Sequence, residues 1–142
     1  MSSEFIDQVK ATLPNQVRVA NWSNELEPYS IDRTQTKGID LPYLIFPEST
    51  DELSTIIKIA YQTNQPLMAS GGRTGYSGGA VANSNEAVIS FEKMNRFLGF
   101  DPYLPAIKVS AGMTTRQVQQ LATDYNLYFP VDFASADSSQ IG

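Results

Sequence analysis

The stretch S-G-G-R-T-G-Y-S-G-G-A at residues 70–80 limits this chain more than any other. It holds five of the nine glycines: Gly71, Gly72, Gly75, Gly78 and Gly79. Glycine reaches positive φ and lets main chain approach a ligand, at a large entropic cost on ordering. A run this dense suits a backbone shaped for contact. Arg73 is the only charged side chain between Lys58 and Glu86. Backbone N–H groups in consecutive turns form an anion-binding concavity, and a guanidinium adds paired donors suited to phosphate. The alternative is a plain surface loop, since glycine clusters also mark turns. Neither a G-K-[ST] ending nor a G-x-G-x-x-G spacing can be read in the run, so a phosphate here would be held by some other architecture.

The rest of the composition removes whole classes of chemistry. A chain of 142 residues predicts one domain with room for a real core. It contains no cysteine, which excludes disulfides, and no histidine, which removes His- or Cys-built zinc sites and Ser-His-Asp or Cys-His catalysis. Acid–base work within the chain would fall to carboxylates, Lys or Tyr, and these are scattered. A net charge of −5 argues against nucleic-acid binding, which needs a basic stripe. The first residues, with Glu4 and Asp7, do not resemble a signal peptide, and no apolar run approaches the ~20 residues of a membrane helix. A cytoplasmic protein that does not span a membrane is expected.

Periodicity places the run at the end of a strand. Phe5, Ile6, Val9 and Leu13 predict a helix over 3–13, stopped by Pro14. Residues 17–39 are irregular and read as an ordered connection. Tyr43-Leu44-Ile45-Phe46, between Pro42 and Pro47, reads as a buried strand. Ser49-Thr50-Asp51-Glu52 is a capping-box signature opening a helix to about residue 64, with Leu53, Ile56, Ile57 and Ala60 on one face. A strand over 67–70 then runs into the glycines. Strand, helix, strand and loop in this order fit a right-handed parallel β-α-β unit, whose ligands sit at the carboxyl ends of the strands. Further strands are expected over 87–91, 97–101 and 106–111, the last two as an antiparallel pair. Thr114-Thr115-Arg116-Gln117 is a second capping box, opening a helix with Val118, Leu121, Ala122 and Tyr125 in register. Residues 128–133 resume an extended apolar run in which Phe129 and Phe133 are expected in the core, and Met94 is expected to pack near Phe91 and Phe97. The terminal Ile-Gly, with no polar tail, looks like a cut.

Three segments carry a resemblance. They are F-P-E-S-T-D-E-L at 46–53; G-G-R-T-G-Y-S-G-G-A-V at 71–81 with I-S-F-E-K-M-N-R at 89–96; and F-P-V-D-F-A-S at 129–135 leading to S-S-Q-I-G at 138–142. In this order they resemble the PCMH-type FAD-binding domain of the vanillyl-alcohol oxidase superfamily. The similar branch holds glycolate oxidase flavoprotein subunit, D-lactate dehydrogenase and D-2-hydroxyglutarate dehydrogenase. The resemblance covers about residues 29–142. It implies an α+β fold: a small parallel β-α-β subdomain followed by an incomplete mixed or antiparallel sheet with helices. On that reading residues 1–40 are an N-terminal helix and connecting segment, and 41–142 are part of the FAD-binding domain.

The resemblance also implies a site. The loop matching Gly71, Gly72, Arg73, Thr74, Gly75, Ser77, Gly78 and Gly79 wraps the FAD pyrophosphate through backbone N–H groups and the hydroxyls of Thr74 and Ser77. Pro130, Asp132, Ser139, Ile141 and Gly142 belong to a stretch that passes the flavin and ribityl side, and Gly112 matches a glycine close to the cofactor. Two alternatives stay open: Gly112 ends a strand before the capped helix, and Asp132 holds a turn. No catalytic residue is implied, because the family's catalytic histidines, metal site and substrate domain match nothing in this chain. The FAD is expected to be non-covalent, since tethering uses His or Cys and the loop reads Gly72-Arg73-Thr74. The implied activity is oxidation of a D-2-hydroxy acid (D-lactate, glycolate or D-2-hydroxyglutarate) by hydride transfer to flavin N5. Electrons would pass to a quinone, a cytochrome or an electron-transferring flavoprotein, and residues 1–142 alone are expected to be inactive. Two other readings of the loop are a non-catalytic nucleotide- or anion-binding module and a fragment that only pairs with a partner.

Overall fold

A computed structural model describes residues 3–15, 17–19, 27–35, 38, 43–82 and 85–142. The first helix, α1 (Ser3–Thr12), is followed by a short strand, β1 (Val17–Val19), and a 3-10 turn (Glu27–Tyr29). Then come β2 (Tyr43–Ile45), α2 (Thr50–Gln62), β3 (Leu67–Ser70) and β4 (Ala87–Ser90). A hairpin of β5 (Phe97–Asp101) and β6 (Ala106–Val109) leads to α3 (Thr115–Asp124). The fold is α+β.

The four-stranded sheet has the order β1-β2-β4-β3. β4 lies between β2 and β3 and is parallel to both, in register Leu44↔Val88 on one side and Met68↔Val88 on the other. Side chains alternate across a strand, so each face collects its own apolar set. Ile45, Ala87 and Ile89 join Phe5, Ile6, Val9, Ile56, Ile59 and Ala60 beneath α1 and α2. Leu44, Phe46, Met68 and Val88 form the other face, covered by Ala82 and Tyr29. Every residue of β4 is buried, as expected of a parallel strand covered on both faces. Each fully buried aliphatic or Phe side chain here contributes roughly 1.5–3 kcal/mol.

β1 corrects the reading of 17–39 as connection only: it pairs antiparallel with β2, Val17↔Ile45 to Val19↔Tyr43. Part of that stretch lies outside the described residues. On α2 the buried face is Ile56, Ile59 and Ala60, with Leu53 packed against it, while Ile57 turns outward at 50% exposure. The first capping box is also shifted. Ser49 Oγ accepts from Glu52 N–H at 3.2 Å, but the Glu52 carboxylate accepts from Glu48 N–H at 2.8 Å instead of from Ser49. The second box is complete, with Gln117 N–H donating to Thr114 Oγ1 and Thr114 N–H to Gln117 Oε1.

β5 and β6 pair antiparallel, and α3 packs nearby through Tyr125, whose ring stacks on Phe100 at 4.5 Å. Among the described residues 128–133 join no ladder; Phe129 is half-buried and Phe133 is 44% exposed, so neither is a core residue. Met94 is buried, as packing required. Among the described residues no helix is long and apolar enough to cross a membrane.

Candidate functional site

The carboxyl ends of β2, β3 and β4 point the same way, so the segments leaving them converge. The glycine loop leaves β3, and Phe91-Glu92-Lys93 leaves β4. Two ion pairs cross this rim: Lys93 Nζ to Glu48 at 3.3 Å and Arg73 to Glu92 at 3.4 Å.

The loop is fixed at two points by one segment, residues 29–34. Near its start, the Arg73 guanidinium lies 4.4 Å over the Tyr29 ring and donates to Gly71 O at 3.2 Å and Ser70 Oγ at 3.4 Å as well as to Glu92. Tyr29 Oη donates to the other Glu92 oxygen at 2.8 Å, closing the network. Near its end, the Gly78 N–H donates to Asp32 Oδ2 at 3.0 Å. Asp32 is buried, and its Oδ1 accepts from the Thr34 N–H and Oγ1. Both fixed points have positive φ: +54° at Arg73 and +72° at Gly78. Only the glycine adopts this freely; a left-handed non-glycine residue costs on the order of 1–3 kcal/mol and persists where surroundings over-determine it. The cage around the Arg73 side chain is that over-determination.

Between the fixed points the backbone is unspent. Among the described residues, the N–H groups of Arg73, Thr74, Gly75, Tyr76, Ser77 and Gly79 have no protein acceptor. A Cβ built on Gly75, Gly78 or Gly79 would meet nothing within 4 Å. Unpaired N–H groups around left-handed turns are the elements of an anion nest. The loop faces residues 133–138 across a cleft of about 380 Å³ lined by Arg33, Thr74, Tyr76, Phe133, Ala134, Ser135 and Ser138.

The remaining predicted residues divide by what they touch. Gly71 and Gly72 pack on the 138–142 segment, and a Cβ on Gly72 would overlap the Ser138 carbonyl. Thr74 lines the cleft, and Ser77 is exposed at the loop's edge. Ser139 is buried, its Oγ hydrogen-bonded to Thr115 Oγ1 at 2.8 Å. Ile141 and Gly142 are exposed, and their N–H groups donate to Met113 O and Ala111 O. Gly112 is buried with its N–H on Met94 O, where a Cβ would overlap the Phe91 carbonyl; the close approach there is to protein. Pro130 and Asp132 are exposed and do not line the cleft. Gln140 Oε1 is the one buried side-chain polar atom without a partner among the described residues, and it lies 3.6 Å from where a Gly71 Cβ would stand.

Of the helix N-termini, the usual phosphate sites of α/β folds, that of α3 is already paired and that of α2 carries acidic side chains. At α3 the Thr115 and Arg116 N–H groups donate to the Ser139 and Ala136 carbonyls, and Gln117 N–H to Thr114 Oγ1. At α2 Ser49 accepts from the Glu52 and Leu53 N–H groups, and Asp51 and Glu52 put two carboxylates in the first turn. The open donors beside the cleft are those of the loop. Sequence reasoning missed Tyr29, Asp32 and Arg33; the only signal was a polar cluster inside a stretch without periodicity. Among the described residues no cluster of acidic residues could hold a metal ion.

Comparison with known proteins agrees with this geometry. The FAD binding domain family matches residues 42–142. A D-2-hydroxyglutarate dehydrogenase of Stutzerimonas stutzeri (strain A1501) is 40% identical over 138 residues, 97% of this chain and 30% of that protein. A D-lactate dehydrogenase of Anaerostipes hadrus is 31% identical over 133 residues, 93% of this chain and 28% of that protein. The chain thus spans 30% or less of the length of these curated relatives. Among solved structures, alkyldihydroxyacetonephosphate synthase matches with a TM-score of 0.86 at 19% identity, over 100% of this chain and 28% of that one. p-Cresol methylhydroxylase with substrate bound matches with a TM-score of 0.75 at 20% identity, over 97% and 28%. These likenesses place the fold in the PCMH-type class. With its glycine loop at the carboxyl edge of a parallel sheet, the chain belongs to the FAD binding domain family.

Proposed function

We propose that this chain holds the diphosphate of a non-covalent FAD in the loop at residues 71–79, as the cofactor-binding part of a longer D-2-hydroxy acid dehydrogenase. The observation that carries the reading is the set of N–H groups of Arg73, Thr74, Gly75, Tyr76, Ser77 and Gly79, without a partner among the described residues, on a loop that borders an open cleft. A diphosphate supplies the anionic oxygens these donors lack, and charge-assisted bonds of this kind are about twice as strong as neutral ones. Thr74 and Ser77 add hydroxyls on the same loop. Gln140 Oε1, at the root of the loop, would be satisfied by a ribityl hydroxyl. When bound, FAD supplies two-electron acceptance, by which a D-2-hydroxy acid becomes a 2-oxo acid.

What the chain's own residues do is bind and orient. The fixed points at Arg73 and Gly78 keep the donors aimed before a ligand arrives, which lowers the ordering cost of binding. No histidine is available as a base near neutral pH, and the rim cations Arg73 and Lys93 are paired with carboxylates. Substrate recognition and proton removal are therefore assigned to the longer protein, as is delivery of electrons to a quinone, a cytochrome or an electron-transferring flavoprotein.

A protein of the relatives' full length carrying this domain should reduce a redox dye with D-2-hydroxyglutarate or D-lactate, while residues 1–142 with excess FAD should not. Acid precipitation of the loaded protein should release all yellow colour. Turnover by residues 1–142, or colour left on the precipitate, would contradict the assignment.

A further inference from the structure

We propose that the cation serving the bound diphosphate is Arg33, and that the Arg73 side chain is a positioning group that shapes the loop without its guanidinium touching the ligand. The inference rests on the diphosphate reading above and deepens it. A cation serving the ligand should be accessible from the cleft and free of competing partners. Arg73 is neither: its side chain is 19% exposed, lies on Tyr29, is paired with Glu92 and donates to Gly71 O and Ser70 Oγ. To reach a phosphate it would have to abandon these contacts, leaving Glu92 uncompensated and its own left-handed backbone unsupported.

Arg33 has the opposite situation. It is exposed, it lines the cleft beside Thr74, Ser135 and Ser138, and among the described residues it has no ion pair or hydrogen bond. Among the described residues it is the only cation lining that cleft. The preceding residue supplies the electrostatic need. Asp32 holds a buried carboxylate against the Gly78 N–H, so an anion on the loop would face a like charge through the very segment that anchors the loop. A guanidinium one residue on offsets that repulsion, and its planar fork matches phosphate oxygens in pairs. The short stretch Tyr29, Asp32 and Arg33 would then do two jobs, holding the loop at both left-handed positions and supplying its charge.

The two arginines should separate experimentally. Wild type, Arg33→Gln, Arg73→Gln and Glu92→Gln are titrated with ADP and with FAD by calorimetry at two salt concentrations, and each is melted without ligand. Arg33→Gln should bind ADP about tenfold more weakly or worse, with a flatter salt dependence, and should melt like wild type. Arg73→Gln and Glu92→Gln should melt lower, and the binding that remains should keep the wild-type salt dependence. Glu92→Gln loosens the same cage without changing a loop residue, so it serves if Arg73→Gln does not fold. If Arg33→Gln matches wild type in affinity and salt dependence, the role of Arg33 is overturned and the diphosphate reading stands. If Arg73→Gln melts like wild type but loses affinity and salt dependence, the division between the arginines is overturned. If wild type binds neither ADP nor FAD, the inference and the diphosphate reading both fall.

Discussion

Asp32→Ala should destabilise the chain by about 1.5–3 kcal/mol, the range for hydrogen bonds to a charged group. The carboxylate is 5% exposed and accepts from the Thr34 N–H at 2.8 Å, the Thr34 hydroxyl at 2.6 Å and the Gly78 N–H at 3.0 Å. Alanine leaves the Gly78 N–H without its acceptor and frees the exposed Thr34 donors. For a domain of this size such a loss lowers the melting temperature by roughly 5–10 °C. Asp32→Asn should fall between, because its amide keeps one acceptor oxygen but turns an NH2 group toward one set of donors. Thermal unfolding by circular dichroism gives the stability, and amide hydrogen exchange at Gly78 shows whether the loop end is released. An Asp32→Ala chain that melts with wild type would mean the loop is held some other way.

Gly72→Ala and Gly75→Ala should behave in opposite ways, although both sit in the same glycine run. A Cβ on Gly72 would overlap the Ser138 carbonyl and press the Ser139 Cα at 2.8 Å, and all of these are backbone atoms that cannot swing aside. Overpacking of this kind costs about 1–3 kcal/mol. Because the loop is wedged off the 138–142 segment, FAD affinity should also fall about tenfold, a loss equivalent to ~1.4 kcal/mol. At Gly75 a Cβ meets no protein atom within 4 Å. The apo-protein should then keep its stability to within about 0.5 kcal/mol, as for other surface changes, while FAD binding weakens because the methyl occupies ligand space. Stability lost at Gly75 and kept at Gly72 would reverse the roles given to the two halves of the loop.

How far the sequence was readable depended on whether a feature is local. β2, α2, β3 and β4 announce themselves through apolar runs, bracketing prolines and a Ser49 cap, and they occur where the spacing predicts them. β1 does not, because three residues offer no period and its partner, β2, lies far along the chain. The outward turn of Ile57 is of the same kind: helical spacing permits either it or Ile59 on the inner face, and packing against α1 and β4 selects Ile59.

The site follows the same rule. That the backbone needs glycine at 71–79 and at 112 is visible in the sequence, but glycine marks close approach without saying to what. At Gly72 and Gly112 the space belongs to the protein's own carbonyls, while at Gly75, Gly78 and Gly79 it is open. The charge of Arg73 is equally legible, and its direction is not. A long side chain on a tight loop is aimed by whatever carboxylate or ring the fold brings near, here Glu92 after β4 and Tyr29 before β2.

The most direct measurement of the central claim is a 15N–1H NMR titration of residues 1–142 with FAD, read residue by residue. If the unpaired N–H groups hold the diphosphate, the amide signals of Thr74, Gly75, Tyr76, Ser77 and Gly79 should shift downfield together and saturate at one ligand concentration. Gly78, already bonded to Asp32, should move less. Shifts confined to the helix N-termini or the β5–β6 hairpin, with the loop amides unmoved at saturating FAD, would contradict the account.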